Sequence, residues 1–370
     1  MNVFTGIMLV FALVGFADKA FSLKWGLSES FDKGLMTMGT MVVPIVGICS
    51  VGAEFVARHS EAIQSAAQGM PFDPSMIVGA ILAPDLGGYF IAKAMAATPE
   101  ILIINGVVLG TLLGQAICFQ LPVFLATLGK EERPFILKGF LVGITMIPLG
   151  MLAAEAILRM NFVTFLGQFV PILIICALVA LGLYKIPDGM VRGFSVIGRI
   201  IQIGTYLLFG LAILGVFLPK IALASEESVH TALVITLKSA IIISGCLVLT
   251  DLVMKFFRPQ LQKLAKRIGV NEISVICMLM NCATSLAILP LFSRMDEKGK
   301  LLNAAFSISG AYILGGSMAF VSAVSTGYVV GIFIVAKIVS GFLSMYLMHR
   351  IFESNKKKGG NENENTVTVG

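Results

Sequence analysis

The chain has 370 residues, 57% of them apolar and only 13% charged, with a formal net charge of +6. Soluble domains run roughly 45–50% apolar and about 25% charged, so these charges cannot clothe a water-exposed surface and most of the chain must lie in lipid. An outer-membrane barrel is excluded as well, because barrel strands read as alternating segments of about ten residues, whereas the apolar runs here are continuous and about twenty residues long.

Apolar runs recur near Val3–Leu23, Gly34–Phe55, Ser75–Ala96, Ile101–Leu128, Phe135–Leu158, Phe162–Tyr184, Ile200–Leu218, Thr231–Phe257, Ile273–Phe292, Leu301–Val324 and Tyr328–Met348. The first has no basic lead-in and runs into Asp18 and Lys19 rather than a small-residue cleavage site, so it reads as a span, not a cleaved signal. In the third, ILAPDLGGYFIAK contains Pro84, Gly87 and Gly88, a strong helix break. In the ninth, Asn281, Thr284 and Ser285 interrupt the apolar run.

Orientation follows from Lys and Arg, which concentrate in cytoplasmic loops. The segment KFFRPQLQKLAKR, the C-terminal tail and the Lys185–Arg199 loop are basic and belong inside, while Lys220–His230, with Glu226 and Glu227, belongs outside. These assignments close only if Ser75–Ala96 and Ile273–Phe292 do not cross. Each is expected to be re-entrant, the first from outside and the second from inside, leaving about nine full spans, the N-terminus outside and the C-terminus cytoplasmic. All but six of the 27 basic residues then lie at inner loops. The exceptions are Arg58, Lys93, Arg159 and Lys220 outside, and Lys238 and Lys337 within spans.

The expected fold class is therefore all-α: a polytopic membrane protein like an inverted-repeat secondary transporter. A 200-residue offset lays Ala83-Pro84-Asp85-Leu86 on Ala283-Thr284-Ser285-Leu286 and Gly110 on Gly310. Residues 1–160 form the first repeat, with its broken segment at 74–96. Residues 161–185 link it to the second, 186–350, with its broken segment at 272–293, and 351–370 read as a disordered cytoplasmic tail. Such transporters hold substrate at half-helix ends near the bilayer midplane.

Asp85 is the outstanding side chain, a carboxylate at the tip of an apolar segment, where ionisation is costly unless compensated. It either binds a cation or merely caps the half-helix that follows. Tyr89 offers an aromatic face for an ammonium group, and Phe90 reads as packing. Asn281, Thr284 and Ser285 can satisfy a hydroxyl. Gln115 and Gln120 either line a path or bond neighbouring helices. Lys337, buried in the last span, either neutralises Asp85 or bonds carbonyls at a half-helix C-terminus. PQLQKLAKRIG reads as a basic amphipathic surface helix. The six cysteines and three histidines show no metal or nucleophile spacing, so no catalytic, metal or cofactor site is expected.

FDKGLMTMGTMVVPIVGI, SMIVGAILAPDLGGYFIAKAMA, GQAICFQLPVFLA and VNEISVICMLMNCATSLAILPLFSRMDEKGKLLNAAFSISGAYILGG together resemble the EutH-type ethanolamine utilization transporter family, in order and over nearly the whole chain. The resemblance implies a bacterial inner-membrane protein that admits ethanolamine to its catabolism without a cofactor. Its partners would be ethanolamine and the lipid bilayer, not nucleic acid, with homo-oligomerisation left open. The family pattern it implies has paired asparagines where Thr284 and Ser285 stand and an acidic residue near Gly316. This chain departs from that pattern at both places, which leaves Asp85 as the single carboxylate at the tips of the broken segments. The expected function is a facilitator for protonated ethanolamine. The alternatives are an ion-coupled transporter of another small amine or carboxylate and a non-transporting membrane sensor.

Overall fold

A computed structural model describes residues 2–67 and 69–367, without the side chains of residues 60, 64, 66, 67 and 357–367. Its regular structure is helical throughout the described residues, as hydrocarbon demands of a chain that must satisfy its own N–H and C=O groups.

Helix α1 (Val3–Phe21) is capped by Asn2, whose side chain accepts from Thr5 N at 2.8 Å. The Asp18 carboxylate closes the turn that follows, accepting from Trp25, Leu27 and Ser28 N–H at 2.8, 2.7 and 2.9 Å. Next come α2 (Ser28–Arg58), with a π-helical turn at Gly47–Gly52, and the short helices α3 (Ser75–Ile81) and α4 (Gly88–Met95). The long α5 (Pro99–Thr127) is largely π-helical from Leu102 to Gln120. It is followed by α6 (Arg133–Leu158), α7 (Phe162–Lys185), α8 (Pro187–Phe217) and α9 (Glu226–Phe256). The exposed basic helix α10 (Arg258–Ile268) leads to α11 (Glu272–Ala283) and the 3₁₀-helical α12 (Ser285–Arg294). Helices α13 (Glu297–Ser309), α14 (Gly316–Val324) and α15 (Gly327–Val367) complete the chain.

Eight helices among the described residues are long and apolar enough to cross a membrane: α1, α2, α5 to α9, and Gly327–Lys356 of α15. This differs from the expectation of about nine full spans, because Leu301–Val324 is two helices separated by non-helical Gly310–Gly315. Together α13 and α14 run antiparallel along α15: Lys298 pairs with Glu353 at 2.7 Å at one end, and Ser325 adjoins Gly327 at the other. A correction concerns the Lys185–Arg199 loop, which is the first half of α8 after a tight turn at Ile186. Its charges sit on the helix end rather than on a connection. Helix α15 continues past Phe352 to Val367, and residues 368–370 lie outside the described residues.

Both short-helix pairs fold back on themselves. In the first, α3 and α4 meet at a tip formed by Leu82–Gly87, and the mouth is closed by Asp73, which accepts from Ser75 N at 2.9 Å and from Ala97 N at 3.0 Å. In the second, Asp296 accepts from Asn271 N at 2.9 Å and from Ser274 Oγ at 2.7 Å, and Asn271 Nδ2 donates to Arg294 O at 2.9 Å. One hairpin mouth lies at each end of the bundle. The first shares its end with Glu54 bonded to Ser225, with Tyr328 bonded to Ile157 O, and with Gln168. The second shares the opposite end with Lys255 on Trp25 O, Lys300 on Glu132 and Lys298 on Ile268 O.

Small residues let the backbones touch. A Cβ on Gly34 would lie 2.3 Å from Ser244 Cα, and one on Gly245 would lie 1.9 Å from Met8 O, so α1, α2 and α9 pack as one body. At the opposite extreme, only 11% of the apolar window of α8 is buried. Val196, Ile200, Ile203 and Leu207 stand exposed along it, as a lipid-facing helix requires.

Candidate functional site

The tips of the two hairpins open into one cavity of about 390 Å³. They contribute residues 200 apart in sequence, Ala83 with Ala283 and Leu86 with Leu286, together with Asp85 and Thr284. Tyr312, Gly315 and Gly316, from the break between α13 and α14, form a further wall. Thr37, Thr40, Met41 and Pro44 of α2, Gln115 and Phe119 of α5, and Ile243, Cys246 and Leu247 of α9 complete it.

The first tip is shaped by Pro84 and Gly87. Pro84 starts a single 3₁₀ turn, and Gly87 ends it at φ +92°, where a Cβ would also stand 2.4 Å from Ile48 Cβ. Only glycine fits both demands. The residues at the N-cap positions of the 3₁₀ turn and of α4, Ala83 and Gly87, make no side-chain cap bond. Asp85 Oδ1 is shielded from solvent and has no hydrogen-bond partner among the described residues. A buried acceptor without a donor is costly, and a ligand that brings N–H groups into the cavity would supply one.

The second tip is held by the break opposite it. Leu314 N donates to Cys282 O at 2.8 Å and Tyr312 N to Asn281 O at 3.2 Å. Tyr312 sits at φ +62°, a conformation bulky side chains rarely adopt, and its hydroxyl accepts from Ser285 Oγ at 2.8 Å. Beside it, fully buried Lys337 donates to Ala311 O at 2.7 Å and lies 5.8 Å from the centre of the Phe333 ring.

The residues singled out from sequence divide into two groups. Asp85, Gln115 and Thr284 line the cavity, and Ser285 stands one bond behind it through Tyr312. Gln115 Oε1 accepts from Ser317 Oγ at 3.0 Å. Tyr89, Asn281, Gln120 and Lys337 do not line the cavity. Tyr89 packs edge-on against Phe90 and Phe320, with centroids 5.5 and 6.0 Å apart, and faces a separate cavity with Lys93, His230 and Lys238. Asn281 donates to Ser307 Oγ at 2.8 Å and to Asn303 O, tying α11 to α13. Gln120 donates to Ser307 O at 2.6 Å, tying α5 to α13. Lys337 makes no ion pair with Asp85 within 4 Å among the described residues; its ammonium goes to the Ala311 carbonyl, just beyond the end of α13.

Sequence reasoning missed Tyr312, met Gly316 only as the place where the family pattern carries an acidic residue, and missed Thr37 and Thr40. The signal for the first two was Gly310 followed by Gly315-Gly316 inside an apolar run, a spacing that also suits ordinary close helix packing.

The chain matches the family model described as "Ethanolamine utilisation protein, EutH" over residues 1–351. It is 30% identical over 361 residues to the "Probable ethanolamine permease EutH" of Listeria monocytogenes, covering 95% of each chain. The "Uncharacterized protein YxeR" of Bacillus subtilis is 31% identical to it over 85% of each. The "Probable ethanolamine permease EutH" of Salmonella typhimurium is 27% identical over 90% of this chain and 91% of its own. No solved structure matches the chain.

Proposed function

The chain belongs to the EutH family of ethanolamine utilisation proteins, and on that footing we propose that it is a bacterial inner-membrane permease for protonated ethanolamine. The observation that carries this reading is Asp85, a carboxylate at mid-bundle whose Oδ1 lacks a partner and which shares a small cavity with neutral hydroxyl and amide groups. An ammonium group supplies the missing donors, and a charge-assisted hydrogen bond of this kind is roughly twice as strong as a neutral one. Thr284, Gln115 and the Ser285–Tyr312 pair suit the alcohol end of the molecule.

In this reading residues 1–160 and 186–350 are inverted repeats joined by 161–185. The hairpins at 74–96 and 272–293 enter from the outer and inner faces respectively, and the bundle closes alternately around their tips. The 200-residue register of the tips supports it, as does the placing of one hairpin mouth at each end. The distribution of basic residues puts the N-terminus outside and the C-terminus in the cytoplasm. Transport is driven by the gradient of the protonated substrate together with the membrane potential and needs no cofactor.

Uptake of labelled ethanolamine by proteoliposomes tests the reading. Asp85→Asn keeps the size of the side chain and removes its charge, and should lower uptake about a hundredfold, the loss of roughly 2–3 kcal/mol of charged hydrogen bonding. Undiminished uptake by Asp85→Asn would sink the role given to this residue.

A further inference from the structure

We propose that the space over Gly316 is the subsite for the substrate's ammonium group, walled by Asp85 and Tyr312, and that Lys337 is the positioning residue that keeps Tyr312 in that wall. The proposal rests on the permease reading and adds where in the cavity the charged end of the substrate sits.

Gly316 starts α14 with no side chain of its own. A carbon placed where its Cβ would be lies 3.8 Å from Asp85 Oδ2 and 3.8 Å from Tyr312 Cδ1; apart from its chain neighbours and its own helix backbone, nothing else comes within 4 Å. That position therefore has room for a further heavy atom, and its two nearest neighbours are a carboxylate oxygen and a carbon of an aromatic ring. A nitrogen there can close to hydrogen-bond distance from Oδ2 while staying within the reach of about 6 Å over which an aromatic face attracts a cation. The ring in this wall is that of Tyr312, not Tyr89, which packs among phenylalanines away from the carboxylate.

Tyr312 does not hold this place by local preference. Its φ of +62° is strained for an aromatic residue, so the pose exists only because its surroundings impose it. Three contacts do so: its N–H on Asn281 O, its hydroxyl with Ser285, and the Lys337 ammonium on the carbonyl of Ala311 immediately before it. Lys337 is fully buried, and that carbonyl is its only hydrogen-bond partner among the described residues. Removing the ammonium frees the Ala311 peptide and lets residue 312 relax to negative φ, which carries the ring out of the wall.

The test uses the full chain in proteoliposomes, with labelled ethanolamine as the probe and thermal unfolding in detergent as the check on folding. Gly316→Ala meets only ordinary contacts and no positive φ, so it should unfold at the wild-type temperature while filling the gap and raising KM about tenfold. Gly331→Ala, on α15 with nothing within 4 Å of its added carbon, should leave KM unchanged. Tyr312→Leu removes the ring and should raise KM about tenfold. Lys337→Met should raise KM as Tyr312→Leu does, and the double variant should be no worse than Tyr312→Leu alone, the non-additivity of residues acting through one another. Additive losses overturn the role of Lys337. Wild-type KM in both Gly316→Ala and Tyr312→Leu overturns the subsite while leaving the permease reading intact, and absence of ethanolamine uptake by the wild type overturns both.

Discussion

Replacing Asp73 by alanine removes the carboxylate that closes the mouth of the first hairpin. Three hydrogen bonds go with it: Ser75 N at 2.9 Å, Ser75 Oγ at 2.5 Å and Ala97 N at 3.0 Å. Bonds to a charged acceptor contribute about 1.5–3 kcal/mol each, but Asp73 is only half-buried and water replaces part of what is lost. A net loss of about 3 kcal/mol follows, and at 1.4 kcal/mol per factor of ten the hairpin should open roughly a hundredfold more often. Hydrogen exchange followed by mass spectrometry in detergent reads this directly. The amides of 75–96 should exchange about a hundredfold faster while those of α7 keep their rate. Asp73→Asn should fall between, because its amide oxygen can keep the Ser75 pair. Equal exchange in Asp73→Ala and wild type would refute the reasoning and show that the mouth is held by packing alone, chiefly the seat of Gly79 against Asn105 O.

Two further substitutions probe the frame around the site. Gly315→Ala places a carbon 1.7 Å from Ala283 O, which must push the break away from α11 and cost the Leu314–Cys282 hydrogen bond. Thermal unfolding in detergent should show a loss of about 2 kcal/mol, and an unchanged midpoint would count against the contact. The Lys300–Glu132 pair joins α13 to the start of α6 at 3.0 Å, with both side chains 13% exposed. Lys300→Met and Glu132→Gln should each destabilise by about 3 kcal/mol, since each strands a buried partner, while the double variant recovers part of the loss. Simple additivity in that cycle would show that the two charges do not interact.

Much of this architecture was readable from the chain because lipid leaves it few options. Long apolar runs become helices, and Pro84 with Gly87 and Gly88 announces the first tip. The break at Gly310–Gly315 was not readable, since GAYILG is as apolar as any span. What opens it is tertiary: the N–H groups of Tyr312 and Leu314 find carbonyls on α11 instead of in their own helix. Tyr89 was misplaced for a related reason. Four residues bring side chains onto one face only along a continuous helix, and the left-handed Gly87 between Asp85 and Tyr89 turns the second away from the first. Arg192 and Arg199 were assigned to a loop because charge was equated with connection, whereas a helix of 31 residues is long enough to carry both charges at one end.

Asp85 and Lys337 also have an electrical consequence. With both ionised, they place one negative and one positive charge at mid-bundle, and the two cancel. In the permease reading proposed above, the empty protein would then reorient without moving net charge through the field, whereas one loaded with an ammonium ion would move a single positive charge inward. The membrane voltage therefore acts on the loaded half of the cycle alone, at about 2.3 kcal/mol per 100 mV, a bias of roughly fortyfold. On that reading uptake would be rectified: at equal concentrations on the two sides, polarisation of the cell would set the direction in which the cycle turns, and the return of the empty protein would be indifferent to it.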